Sequence, residues 1–213
     1  MPIINYQGMD AHSILQADWE FRVEHKEIRI FSSRVEGSDV LGFKGEVTIP
    51  TTFRKLIALF HDTGSYLRWV HHLLEMEVLE KHDGLEYVIR QLIDAPWPVA
   101  KREMIIRTAL APFGDNGVAV TMQGAADALP ENSSAVRVRD ITGMWAFTPD
   151  GPDTVQLTFV MHIDPGADVP SGLSNQAMFE VPFYTLKNLR QLAADGSYNP
   201  PYPREADLHL SIV

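Results

Sequence analysis

Cysteine is absent from this 213-residue chain. Disulfide staples, thiolate nucleophiles and cysteine-ligated zinc are thereby excluded, and nothing calls for an oxidising compartment. Basic residues are scarce: 18 Lys and Arg stand against 28 Asp and Glu, a formal net charge of −10. The longest basic run is Lys101-Arg102. A nucleic-acid partner needs a concentrated basic surface, so none is expected. A ligand with an acidic headgroup stays compatible, because a local pocket can differ from the global balance. No apolar run reaches the length that spans a bilayer. The segment Met1-Pro2-Ile3-Ile4-Asn5-Tyr6-Gln7-Gly8 has neither the basic nor the apolar region of a signal peptide. A soluble, cytoplasmic protein is the expectation. Catalytic and phosphate-cradling motifs are missing too: there is no His-Glu-x-x-His, no Gly-x-Ser-x-Gly and no glycine-rich phosphate loop. No cofactor and no metal site are expected.

What remains is an ordinary globular composition, 45% hydrophobic and 22% charged. The length fits one domain over 1–213, able to bury a core and still enclose a cavity. Residues 9–19 read as a short helix, with Ile14, Leu15 and Trp19 at helical spacing. Strand patterns follow over Glu20–His25, Ile28–Val35 and Val40–Ile49. In the last, Leu41, Phe43, Val47 and Ile49 share one face and Lys44, Glu46 and Thr48 the other. Thr51 or Thr52 caps a helix with Phe53, Leu56, Ile57 and Phe60 as its buried stripe, ended by Gly64. A short helical piece holds Tyr66 and Trp69.

Further strands are predicted over Leu73–Glu80, Leu85–Ile93, Met104–Pro112, Val118–Gln123, Ala135–Phe147 and Thr154–Ile163. They are separated by turn chemistry such as His82-Asp83-Gly84 and Gly114-Asp115-Asn116-Gly117. The last alternates: Val155, Leu157, Phe159, Met161 and Ile163 on a dry face, Thr154, Gln156, Thr158 and His162 on a wet one. Residues 171–194 read as a long amphipathic helix with Met178, Val181, Pro182, Thr185, Leu186, Leu189 and Leu192 on its apolar side. Pro182 is expected to bend it. The proline-rich tail, 196–213, is expected to lie extended on the surface. The fold class is α+β: a curved antiparallel sheet of about nine strands wrapped around a long C-terminal helix.

Three groups of residues bear on function. Asp94-Ala95-Pro96-Trp97-Pro98-Val99-Ala100-Lys101 joins two strands through a stiff, donor-poor loop bearing a large aromatic. It suits a lid over an apolar space, or a plain loop packing its Trp on the core. Met104, Met144, Met161 and Met178 lie on inward-facing segments, where methionine fills an irregular core or adapts to an apolar ligand. The ionisable groups are weak candidates. His71 and His72 are adjacent, so on a strand they would point apart and make a poor metal pair. His162 and Asp164 fall on the face read as solvated. Glu103 could serve as a general acid, but reads as a surface group or a salt bridge to Arg102.

Trp19, Ile28–Ser33, Phe43-Lys44-Gly45-Glu46-Val47, Arg68-Trp69, Pro96-Trp97-Pro98 with Arg102-Glu103, and Asp164-Pro165-Gly166 follow one another as a series of motifs along the chain. With Val169-Pro170, Ser174-Asn175-Gln176 and Pro182, they resemble a START domain, the StAR-related lipid-transfer module of the helix-grip superfamily, in a bacterial-type single domain. The resemblance covers about residues 15–195. It implies a tunnel between sheet and helix holding one lipid-like molecule, with the loop at Asp94–Lys101 as one wall of the entrance. The basic residue that sterol-carrying relatives place on an inner strand would fall near Thr108, with Arg107 on the opposite face, and no matching acid is evident in Tyr87–Ile93. Sterol, acyl chain and other apolar metabolites all stay open.

The function so implied is non-enzymatic binding, and intermembrane transfer, of a hydrophobic ligand, with transient contact to a membrane surface. A helix-grip enzyme of the cyclase or aromatase kind, and a ligand sensor acting through a partner protein, are the alternatives. The expected lining is Trp69, Trp97, Met104, Ile106, Thr108, Leu157, Phe159, Met161, Met178, Val181, Thr185 and Leu189, with Thr108 and Thr185 as polar contacts for a headgroup.

Overall fold

A computed structural model describes residues 3–5, 11–82, 85–95, 99–131, 134–166, 169 and 171–208, without the side chains of 12, 171, 176, 178, 205 and 208. Among the described residues, eleven strands form one sheet. They are β1 (Ile3–Ile4), β2 (Glu20–His25), β3 (Ile28–Val35), β4 (Gly42–Ile49), β5 (Leu73–His82), β6 (Glu86–Ile93), β7 (Arg102–Phe113), β8 (Gly117–Gly124), β9 (Val136–Val138), β10 (Asp140–Pro149) and β11 (Val155–Asp164). The helices are α1 (Ala11–Gln16), α2 (Phe53–His61), α3 (Tyr66–Trp69) and α4 (Ser171–Ala194). The architecture is the expected α+β one: a large curved sheet and a C-terminal helix.

Along the sheet the order is β1-β3-β4-β11-β10-β8-β7-β6-β5, with β2 on β3 and β9 on β7. All pairings are antiparallel except β1 with β3 and β7 with β9. The segment carrying α2 and α3 therefore crosses from β4 to the far edge strand β5, and β11 returns to pair with β4. Register shifts in β2 and β5 mark irregularities that strengthen the local twist. On the edge strand β5, Glu75, Glu77, Glu80 and Lys81 discourage pairing with another chain.

The two strands beyond the expected nine have identifiable causes. Ile3–Ile4 is too short to leave a period. Ala135–Phe147 is not one strand but two, because Val136–Val138 runs parallel to β7 before the chain steps across at Arg139 to join β8 and β11. Gly124 permits that step: a Cβ there would lie 2.8 Å from the Arg139 carbonyl oxygen. Thr52 is the N-cap of α2, its hydroxyl accepting from the Lys55 N–H, and the helix closes at Asp62 rather than at Gly64.

The concave face is built from cross-strand rows. In one of them Gly45, Phe159, Trp145, Val120 and Leu110 lie side by side on five neighbouring strands. Phe159 and Trp145 stack with ring centroids 3.7 Å apart. At the end of that row α4 comes down onto the sheet. A Cβ on Gly45 would stand 2.6 Å from Leu186 Cδ1 and 3.6 Å from Pro182 Cβ, so glycine is what admits the helix. From this contact toward its C-terminus, α4 buries Leu186, Leu189, Leu192 and Ala193.

The convex face is less wet than its sequence suggests. Helix α1 lies over it, and Ile14, Ala119, Met144, Ala146 and Val160 form a second small core. Trp19 lies just beyond that helix and donates its indole N–H to the Ile14 carbonyl at 2.9 Å. The tail also departs from an extended course. Tyr198 bonds Asp62, Arg54 lies over the Tyr202 ring, and Ala206 is buried. The described part of the tail is thus tied to α2. Among the described residues, no helix is long and apolar enough to cross a membrane.

Replacing Gly45 by Val forces a branched side chain into Leu186 and should lower stability by about 1–3 kcal/mol. Thermal or denaturant unfolding would measure it, and an unchanged midpoint would count against this seating of the helix.

Candidate ligand cavity

Between the concave face and the N-terminal half of α4 lies a partly open space of about 610 Å³. That lies within the range of roughly 300–1,000 Å³ common for small-molecule sites. Its walls come from many parts of the chain, among them the sheet interior, the entry to β4, α2, α3 with the turn after it, the residues flanking the 96–98 loop, the segment before α4, α4 itself, and Pro203 of the tail. Apolar side chains dominate. Phe60, Tyr66, Trp69 and Trp145 form an aromatic corner with ring centroids 4.5–5.8 Å apart. The Trp69 indole N–H is satisfied by Ser65 Oγ at 3.1 Å.

Of the residues singled out in the sequence, Trp69, Met104, Thr108, Phe159, Met161, Val181 and Thr185 border this space together. Ile106, Leu157 and Leu189 do not border it; all three are almost completely buried in the main core. Leu157 pairs with Val47, two residues beyond Gly45. There α4 already rests on the sheet, and the interior is solid. Trp97, and with it the Pro-Trp-Pro loop, lies outside the described residues, as does the side chain of Met178. The loop's flanks, Asp94, Ala95 and Val99, do border the cavity.

Sequence reading missed several wall residues. Tyr87, Ile89 and Gln91 of β6 face inward, but Val88 and Leu92 on the opposite face are buried as well, so no clean alternation marks the inner side. His61 and Tyr87 form a polar pair on the wall, ring nitrogen to hydroxyl 2.6 Å. The aromatic corner carries no spacing signal, because its members come from α2, α3 and β10.

The polar groups on the wall are mostly engaged. Thr185 Oγ1 accepts the His71 backbone N–H at 3.1 Å, and Thr108 Oγ1 lies 3.5 Å from the Tyr87 carbonyl. Thr108 faces the cavity while Arg107 faces out and pairs with Glu86 at 3.0 Å.

Three ionisable sites differ from their sequence reading. Glu103 is no surface group: it is 2% exposed, and its partners are Arg90 at 2.6 Å and Arg137 at 2.7 Å, not its neighbour Arg102. Adjacent strand residues point to opposite faces. Arg102 accordingly lies on the cavity side and donates to the Pro165 and Ala100 carbonyls. Arg137 also donates to the carbonyls of Ala126, Leu129 and Pro130, fastening the 125–131 loop. Burial pushes the Glu103 carboxyl up, but hydrogen bonds from the two arginines outweigh it and hold the group below its ordinary value.

His162 is 2% exposed rather than solvated, and its Nε2 is 3.1 Å from Ser38 Oγ. Burial lowers its pKa despite Asp140 and Asp164. His71 and His72 stand on a turn between α3 and β5, not on a strand. Their ring centroids are 3.8 Å apart. Burial, helped by His72, lowers the His71 pKa, with Glu180 opposing.

The family model for the START domain matches residues 13–192. A STAR-related lipid transfer protein fragment from Xanthomonas axonopodis is 31% identical, with a TM-score of 0.76, covering 82% of this chain and 98% of that one. An uncharacterized protein of Pseudomonas aeruginosa is 28% identical over 183 residues, 86% of this chain and 90% of its own length. Human StAR-related lipid transfer protein 5 shares the fold at 14% identity, with a TM-score of 0.77 over 85% of this chain and 91% of its own. The chain belongs to the START domain family.

Removing the buried carboxylate tests the Glu103 arrangement. Glu103→Gln leaves Arg137 without its counter-charge and should cost about 3–5 kcal/mol in unfolding experiments. The pH dependence has a definite sign. A carboxyl whose folded pKa lies below its unfolded value stabilises fully above the unfolded value, and that stability is lost as pH falls through the folded value. Wild type should therefore lose stability more steeply than Glu103→Gln as pH drops below the ordinary glutamate range, and equal slopes would refute the assignment.

Proposed function

We propose that this protein is a non-enzymatic carrier that binds one hydrophobic molecule in the cavity beneath α4 and passes it between membranes. The observation that carries this reading is the apolar-walled space of about 610 Å³ between the sheet and α4. A relative at 31% identity that is named a lipid transfer protein supports it. The carrier unit on this reading is the single START domain of about residues 15–195, with the tail docked alongside.

The energetics follow from solvent exchange. Moving an acyl chain from water to a dry cavity gains roughly 0.8 kcal/mol per CH₂. Moving it from a bilayer gains almost nothing, so exchange depends on opening a path rather than on a deep well. The natural path runs between Asp94, Ala95 and Val99 on one side and Val169, Leu173 and Ser174 at the start of α4 on the other, since all of these border the cavity. That edge would make the transient membrane contact. Trp69, Met104, Phe159, Met161 and Val181 would contact the tail of the ligand. Thr108 and Thr185 would meet its polar end, each already sharing its oxygen with the backbone.

Lipid extraction and native mass spectrometry of the purified protein should find a hydrophobic molecule bound one to one. Val181→Trp, which fills the cavity from α4, should reduce uptake of a fluorescent fatty acid at least tenfold while leaving the thermal unfolding midpoint near wild type. Undiminished uptake by this variant would overturn the cavity assignment. Release of a chemically altered molecule would favour the enzyme reading instead.

A further inference from the structure

We propose that His71, His72 and Glu180 form a binding site for one divalent transition-metal ion at the rim of the cavity. Each residue offers one ligand atom, and the three atoms lie within 4.8 Å of one another. Closing onto a tetrahedral ion with metal–nitrogen bonds near 2.0–2.1 Å needs edges of about 3.3 Å. His72 and Glu180 are both exposed, so their side chains have room to rotate over that difference.

The backbone explains why two consecutive imidazoles converge. His72 has φ of 62°, a left-handed conformation uncommon for a residue other than glycine. It breaks the strand alternation that would send the rings apart, and the rings meet at 3.8 Å. The strained turn is fixed to α4 at two points. The His71 N–H is bound to Thr185 Oγ1, and the His71 ring stacks on Tyr184 at 4.8 Å. Glu180 and Tyr184 are four apart on α4 and share one face of it, so the helix presents carboxylate and stacking ring to the same imidazole.

A second observation bears on a ligand. The Nε2 atom of His71 is buried and makes no hydrogen bond within 3.5 Å among the described residues; its partner is Glu180 Oε1 in a long contact of 3.6 Å, beyond good hydrogen-bond length. A buried nitrogen so loosely satisfied is costly, and a cation held between it and the carboxylate removes that cost. Two imidazoles and one carboxylate suit zinc, copper, nickel or iron and not calcium or magnesium, which prefer all-oxygen shells. Three protein ligands leave a fourth position open. Because all three residues border the cavity, that position is available to water or to an oxygen donor there.

The test uses the full chain with no affinity tag, stripped with chelator, and titrated with Zn²⁺ by calorimetry and with Co²⁺ by visible absorption. One ion should bind per chain, with the cobalt bands of a nitrogen- and oxygen-ligated site. Glu180→Gln, at an exposed position, and His71→Ala should each weaken binding at least tenfold. His82→Ala, removing an exposed histidine paired with Glu80, should leave it unchanged. Should His71→Ala unfold, Glu180→Gln alone decides. Absence of saturable binding, or affinity unmoved by Glu180→Gln, overturns the proposal.

Discussion

Everything inside this molecule depends on how closely α4 approaches β4. A helix laid on a curved sheet touches it along only part of its length, and Gly45 marks where contact begins. With no side chain there, Leu186 and Pro182 reach the strand. C-terminal to that point the helix is buried and the interior is solid. N-terminal to it, Leu173, Ser174, Ala177, Val181 and Thr185 stand over open space. One missing Cβ therefore divides the interior into a packed half that gives stability and a hollow half available to a guest. Close packing elsewhere is what lets the hollow half persist without collapse.

The same helix also carries the polar fastenings of the cavity edge. Asn175 accepts the Leu41 N–H at 3.2 Å near the entry to β4. Thr185 holds the turn at His71. These bonds tie α4 to the residue that enters β4 and to the turn that precedes β5. Any shift of α4 that widens the cavity must strain one of them.

Much of this was legible in the sequence because it rests on periodicity. The bounds of α4, the inward set of β11 and the opposite facing of Thr108 and Arg107 follow from spacings of 3.6 and 2. The extent of the cavity did not follow, because Ile106, Leu157 and Leu189 have the same period as the true wall residues. Whether a residue meets space or another side chain depends on where α4 lands. The outer face was misread for a related reason. Thr158 and His162 alternate as wet residues should, yet α1 and the Ser38 turn cover part of that face from far along the chain. Glu103 failed likewise: its partners are 13 and 34 residues away. The meeting of the His71 and His72 rings was not legible, because a positive φ on a residue other than glycine leaves no mark in composition.

The buried polar groups divide by face, and the division bears on what the cavity can accept. The Glu103, Arg90 and Arg137 cluster and the His162–Ser38 pair sit on the convex side, closed upon themselves. On the concave side Arg102 is held by carbonyls, Gln91 reaches Met76 Sδ at 3.7 Å, and the two threonines share oxygens with the backbone. A buried charge without a partner would demand an opposite charge on any guest. With its polar groups paired internally, the deep cavity imposes little such demand and selects by shape and apolar area. The polar groups of the rim, His71, His72, Glu180 and Asp94, border the same space, so they and the two threonines are the contacts open to the polar end of a guest.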